Sequence, residues 1–93
     1  MKKTIWKFQL EVKDGNEVYM PKDAEILCIQ VQNEQPCIWA LVDTNQPNVR
    51  RIIDIYGTGH EISYSMGQEW KYIGTFQLLQ GQFVGHAFEY TGI

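Results

Sequence analysis

The sequence has little with which to do redox, metal or nucleic-acid chemistry. Cys28 and Cys37 are the only cysteines in 93 residues. They stand inside apolar runs and lack the Cys-x-x-Cys spacing of a zinc or redox site, so both are expected to be free, buried thiols. His60 and His86 are the only histidines, too few to hold zinc without further donors, and neither a metal nor a cofactor is expected. No GxGxxG or GxxxxGK[ST] pattern is present. Neither Ser63 nor Ser65 sits in a nucleophile elbow that a serine triad could use, and an enzyme is not expected. Eight Lys and Arg against eleven Asp and Glu give a net charge of −3. The cations are scattered apart from Lys2, Lys3 and Lys7, which excludes a groove tracking a nucleic-acid duplex. No apolar run approaches the roughly 20 residues of a membrane-spanning helix. Met1-Lys2-Lys3 opens like a secretory leader, but Trp6-Lys7-Phe8-Gln9 interrupts the apolar stretch that should follow. The expected location is the cytoplasm.

What is present points to one all-β domain over residues 1–93. Hydrophobic residues make up 44% and charged residues 20%, an ordinary globular balance. Aromatics, at 13%, are spread along the whole chain, which suits a β core filled with rings. Thr4 to Val12 alternates, with Trp6, Phe8, Leu10 and Val12 on one face, and predicts a strand whose Trp6 is core. Asp14-Gly15-Asn16 signals a turn. Glu17 to Met20 is a short strand stopped by Pro21. Ala24 to Gln32 opens like a helix, but the β-branched Ile29 and Val31 alternate with Gln30 and Gln32 and decide for a strand. After a hairpin loop at 33–36, Cys37 to Val42 is apolar on both faces. It reads as a central strand that includes a core Trp39. Val49 to Tyr56 follows a polar loop, with Ile53 and Ile55 on one face and Arg50, Ile52, Asp54 and Tyr56 on the other.

From Gly57 to Trp70 the pattern fails, although Ile62, Tyr64 and Met66 alternate as a short irregular strand would. Loops of this length in a compact domain are usually functional or mobile. Lys71 to Gln80 and Phe83 to Tyr90 complete the set. Gly74 and Gly85, inside strands, predict a bulge or a close approach of another group. Turn signals every 8–12 residues give a sandwich or small barrel of about seven mostly antiparallel strands.

One stretch gathers charge, an aromatic, backbone freedom and an imidazole: Arg50-Arg51 through Tyr56 to Gly57-Thr58-Gly59-His60. The glycines allow backbone amides to form an anion nest. The arginines lie about 20 Å away along the same strand, so a shared phosphate would need a second copy paired antiparallel. Tyr56 or Trp70 would stack on a base, although packing under the long loop is the plainer role for Trp70, and His60 would donate a hydrogen bond or gain charge near an anion. The same residues read more plainly as a tight turn with a solvated His60 and two rim arginines. His86, on the side of Phe88 and Tyr90, reads as structural.

Trp39-Ala40-Leu41-Val42-Asp43, Gly57-Thr58-Gly59-His60, Tyr72-Ile73-Gly74-Thr75-Phe76 and His86 with Phe88-Glu89 resemble a family of small uncharacterised proteins encoded by bacteriophages and prophages. The likeness extends to Ile5-Trp6-Lys7, Met20-Pro21 and Gln30-Val31-Gln32. It implies a setting rather than a mechanism. In that setting the expected function is non-enzymatic binding that sequesters a small host molecule, a nucleotide-like immune signal, in the host cytoplasm. The alternatives are a module that blocks a host defence protein, or an accessory phage component. Self-association into a homo-oligomer is expected, because short strands leave edges to cover.

Overall fold

The computed structural model describes residues 2–62 and 69–92. Among them are seven strands: β1 (Thr4–Gln9), β2 (Asn16–Pro21), β3 (Glu25–Gln32), β4 (Gln35–Val42), β5 (Asn48–Gly57), β6 (Trp70–Leu78) and β7 (Phe83–Tyr90). A single 3-10 turn, Leu79–Gly81, joins the last two. The strands form two antiparallel sheets, ordered β1-β4-β3 and β2-β5-β7-β6. They pack as a sandwich over Leu10, Val18, Met20, Ile29, Ile38, Ala40, Val42, Ile53, Ile55, Phe76 and Ala87. Burying such aliphatic side chains is worth about 1.5–3 kcal/mol each. The predicted all-β class is the observed one.

Local chemistry explains the boundaries. Asn33 and Glu34 both have positive φ and join Gln32 to its partner Gln35, which is a two-residue hairpin of the kind that matches strand twist. β4 therefore starts at Gln35 and takes in Pro36. It is the central strand of its sheet, as its two apolar faces require. Pro36, Ile38, Ala40 and Val42 of β4 face inward at full burial, whereas Trp39 lies half-buried on the outer face. Trp39 is thus not core: both faces of β4 are apolar, but only one meets the second sheet.

β1 also departs from its pattern. It ends at Gln9, where the Leu10 amide turns to donate to Pro36 O. Asn16 then pins the connection, its Oδ1 accepting from the Glu11 amide and its Nδ2 donating to Glu11 O and Lys13 O. Leu10 is buried, but Trp6 and Val12 are exposed, at 41% and 47%. The alternation is real, but β1 overhangs the second sheet, so only Phe8 and Leu10 reach the core.

The interior glycines behave as their positions imply. The register of β6 against β7 shifts between Tyr72 and Gly74, and a Cβ on Gly74 would meet Ile29 Cγ2 at 2.9 Å. The two sheets approach each other there, with β3 alongside β6. Tyr64 and Met66, expected in a short strand with Ile62, and Ser63 and Ser65 lie outside the described residues. Ile62 itself is exposed and outside any strand. Among the described residues no helix is long and apolar enough to cross a membrane.

Candidate functional site

The sequence-predicted site residues sort into three places. Arg51 points inward, on the same face as Ile53. Its Nε and Nη2 donate to the two oxygens of Glu89, and its Nη1 donates to Ala24 O. Ile53 pairs directly with Glu89, so Arg51 and Glu89 are diagonal neighbours on the core face. The hydrogen bond to Glu89 holds the guanidinium pKa above its ordinary value, although burial works against the charge. Arg50, one residue away, points outward and pairs at 3.8 Å with Glu17 on an exposed surface. Neither arginine reaches the glycine corner at the far end of β5. A second copy cannot bring them there by strand pairing, because β5 is hydrogen-bonded to β2 along Asn48–Ile53 and to β7 along Ile52–Gly57. The interior position of β5 removes the antiparallel pairing of two copies from which the composite phosphate socket was expected.

The glycine corner is a turn. The His60 amide donates to Gly57 O at 3.0 Å, and Gly59, the third residue, has φ +85°, the signature of a type II turn. The Thr58 amide donates to Val84 O, so of the amides expected to form an anion nest, that of Thr58 is engaged inside the fold. Gly57 is glycine for space, since a Cβ there would lie 2.7 Å from His60 Cε1 and 3.2 Å from Phe83 Cε1. His60 thus folds back over Gly57, and a small cleft of about 230 Å³ opens between this turn and Gln82, Phe83 and Val84.

Thr58 goes the other way, toward the outer face of the four-stranded sheet. Its Oγ1 shares a 2.6 Å hydrogen bond with His86 Nε2. His86 Nδ1 lies 2.9 Å from Thr75 Oγ1, and Thr75 Oγ1 lies 2.6 Å from the Tyr72 hydroxyl. Strand register builds this chain, because His86 pairs with Tyr56 on one side and Thr75 on the other. A neutral imidazole has one donor and one acceptor nitrogen, so its tautomer sets the direction in which the neighbouring hydroxyls donate. Thr58 and His86 have the spacing of a nucleophile and its base. However, the third member is a hydroxyl, which cannot stabilise an imidazolium as a carboxylate does. The arrangement is a row of mutually oriented hydrogen bonds on the outer face of the sheet.

Beside it runs a ladder of rings. Tyr72 packs on Phe88 at 5.4 Å, and Phe88 on Tyr56 at 6.1 Å. Trp70 packs on Tyr90 at 5.9 Å and donates its indole N–H to Asp54 Oδ2. Trp70 is therefore anchored at the rim. Asp54, itself buried, also accepts from the Gly15 amide, tying the first turn to β5 and β6. Burial raises the Tyr56 pKa first of all, with Asp54 and Asp14 adding to it.

Asp14 is likewise raised, by burial first and then by Asp54. The folded state therefore holds the Asp14 proton more tightly than the unfolded chain does. Its contribution favours folding at acidic pH and fades as pH rises through the carboxylate range. Asp14→Asn is expected to be more stable than the parent at pH 7, with the gap closing by pH 3. Urea midpoints at the two pH values measure it.

Sequence reasoning placed His86 and Tyr72 on strands but did not join them to Thr58. The missed signal is register: only the β5-β7-β6 order brings Thr58, His86 and Thr75 together.

A second concavity, of about 520 Å³, lies on the outer face of the three-stranded sheet, lined by Ile5, Leu27, Cys28, Gln30 and Trp39 among others. Both cysteines are free thiols. No group of three or more metal-ligating side chains occurs among the described residues.

A family model, described as a domain of unknown function, DUF7352, matches residues 1–92. No curated protein and no solved structure matches the chain.

Proposed function

The chain belongs to the DUF7352 family, whose description carries no activity, and from its own surface we propose that it is a non-enzymatic binding module. Its ligand is a small, flat, hydrogen-bonding molecule of nucleobase type. The binding face is the outer side of the four-stranded sheet. One observation carries this reading: the Thr58–His86–Thr75–Tyr72 chain borders the Tyr72–Phe88–Tyr56 ladder. Rings supply stacking area for any planar heterocycle, and a directed row of hydroxyls and an imidazole selects among them. With Arg51 engaged internally and Arg50 at the opposite end of β5, the base rather than the phosphate is the recognised part. The resemblance to phage and prophage proteins supplies the setting for this reading, the sequestration of a host nucleotide signal in the cytoplasm.

Thermal shift with nucleosides, linear nucleotides and cyclic nucleotides tests it. A ligand present at 100 times its Kd stabilises the fold by about 2.7 kcal/mol. The shift is expected to persist in Arg50→Ala and to vanish in Tyr72→Ala and in His86→Ala. No shift with any of these ligands would refute the reading. A second reading, a module that blocks a host protein, is favoured by the apolar groove at Ile5, Leu27 and Trp39. It predicts a shift with no nucleotide, and a co-purified host protein that Leu27→Asp releases.

A further inference from the structure

β1 is an edge strand without the usual protection. It pairs with β4 on one side, and no strand pairs with its other side among the described residues. In an antiparallel ladder every second residue of such a strand directs its N–H and C=O toward the open edge. Natural edges are blunted by prolines, bulges or lysines. The other edges of this protein are managed. β3 and β6 lie alongside each other, with Gly74 close under Ile29, and β2 ends in Pro21. β1 has no proline and no register shift. It leaves Ile5 and Trp6 exposed at 54% and 41%. Its one lysine does not guard the edge, because Lys7 Nζ reaches across β4 to donate to Gln32 Oε1.

We infer that β1 pairs antiparallel with β1 of a second copy of this chain, joining two three-stranded sheets into a continuous one of six strands. The charges choose the register. Centring the pair on Ile5 sets Lys3 against Lys7, and centring it on Lys7 sets the two Lys7 side chains against each other. Like charges directly opposite each other are destabilising. Centring on Trp6 avoids both, and it pairs more of β1 than centring on Thr4 or Phe8 would. Trp6 then faces Trp6, Ile5 faces Lys7, Thr4 faces Phe8 and Lys3 faces Gln9. Lys3 of each copy is then diagonal to both Lys7 and Glu11 of the other, so attraction and repulsion offset there, and Glu11 already pairs with Lys13. Trp6 already packs on Phe8 at 6.5 Å, so the paired indoles extend an existing cluster. This pairing is independent of the ligand face, which lies on the other sheet.

Sedimentation velocity over a range of 5 to 500 µM (about two decades, enough to bracket a weak dimer) tests it. The expected result is a concentration-dependent monomer–dimer equilibrium, weakened at least tenfold by Trp6→Glu, with the far-UV spectrum and melting temperature unchanged. In a Cys28→Ser/Cys37→Ala background, Trp6→Cys tests the register itself. A disulfide joining the introduced thiols of the two copies is expected under mild oxidation, since directly opposed strand residues have the Cα separation that bridges tolerate. The same background with Thr4→Cys is expected to remain reduced. A monomer at every concentration, a dimer indifferent to Trp6→Glu, or cross-linking as efficient at position 4 as at position 6 would overturn the inference.

Discussion

Arg51→Ala is expected to lower stability by about 3 kcal/mol, and Glu89→Ala by a similar amount, because each leaves a charge between the sheets without its partner. The side chains of Arg51 and Glu89 are only 20% and 11% exposed, so water screens little of the loss. For a domain of this size that is a fall in melting temperature of roughly 15 °C. The pair itself is a different quantity. Replacing both members by apolar side chains, Arg51→Met with Glu89→Leu, removes the desolvation penalty along with the attraction, and should recover most of the loss. What stays missing is the hydrogen bond from Arg51 Nη1 to Ala24 O, worth about 1 kcal/mol. Urea unfolding of the parent, Arg51→Met, Glu89→Leu and the double variant closes this cycle. A double variant as unstable as the sum of the singles would show that the two residues act independently, and the account of this end of the sandwich would be wrong. Ligand-induced stabilisation should be unaltered in the double variant, since the pair lies on the core face, away from His86.

The contrast between Arg50 and Arg51 shows where sequence reasoning stopped. Period-two alternation assigned Ile53 and Ile55 to one face of β5 and Arg50, Ile52, Asp54 and Tyr56 to the other, and burial agrees except at Asp54, which is buried beneath Trp70 and the first turn. By the same parity Arg51 belongs inside. An inward arginine makes sense only if a carboxylate waits for it, and Glu89, 38 positions away in sequence, is identified by strand order alone. The Gly-Thr-Gly-His stretch is similar. Its glycines signalled a turn, which is there, and also an anion nest, in which the Thr58 amide is instead bonded to Val84 O. Glycine allows both outcomes, and the neighbouring strand decides between them. Element positions were legible because each strand carries its own alternation and each turn its own residues. Trp6 and Trp39 were misplaced for a further reason. Alternation says which residues share a face, but not whether another sheet covers it. The candidate site was the least legible part, because Thr58, His86, Thr75 and Tyr72 come from three different segments.

Gly85→Val is the other substitution expected to do large damage, and Phe76 decides how much. The backbone at Gly85 has no positive φ, so valine is conformationally acceptable, and strand propensity favours it by up to about 1 kcal/mol. Space is the obstacle. A Cβ at Gly85 would lie 2.5 Å from Phe76 Cζ and 3.0 Å from Phe83 Cε2. Phe76 is 5% exposed, and its ring is hemmed in by the opposing sheet. Overpacking of this kind costs about 1–3 kcal/mol, and the two γ-methyls put Gly85→Val at the upper end, so the net loss should be about 2 kcal/mol. Phe76→Ala alone should cost about 3–5 kcal/mol for the cavity it leaves. Combined with Phe76→Ala, however, the valine enters that vacated volume. The double variant is therefore expected to be more stable than Phe76→Ala alone, a reversal of sign that urea midpoints detect directly. Losses that simply add, within about 0.5 kcal/mol, would mean that the ring and the glycine do not share that space. Gly85 would then be glycine for a reason other than Phe76. The heteronuclear NMR signal of His86, the next residue, is the companion readout. It should shift in Gly85→Val and return toward its parental position in the double variant, because the β7 backbone that carries the imidazole toward Thr58 is displaced only while the ring blocks the new side chain.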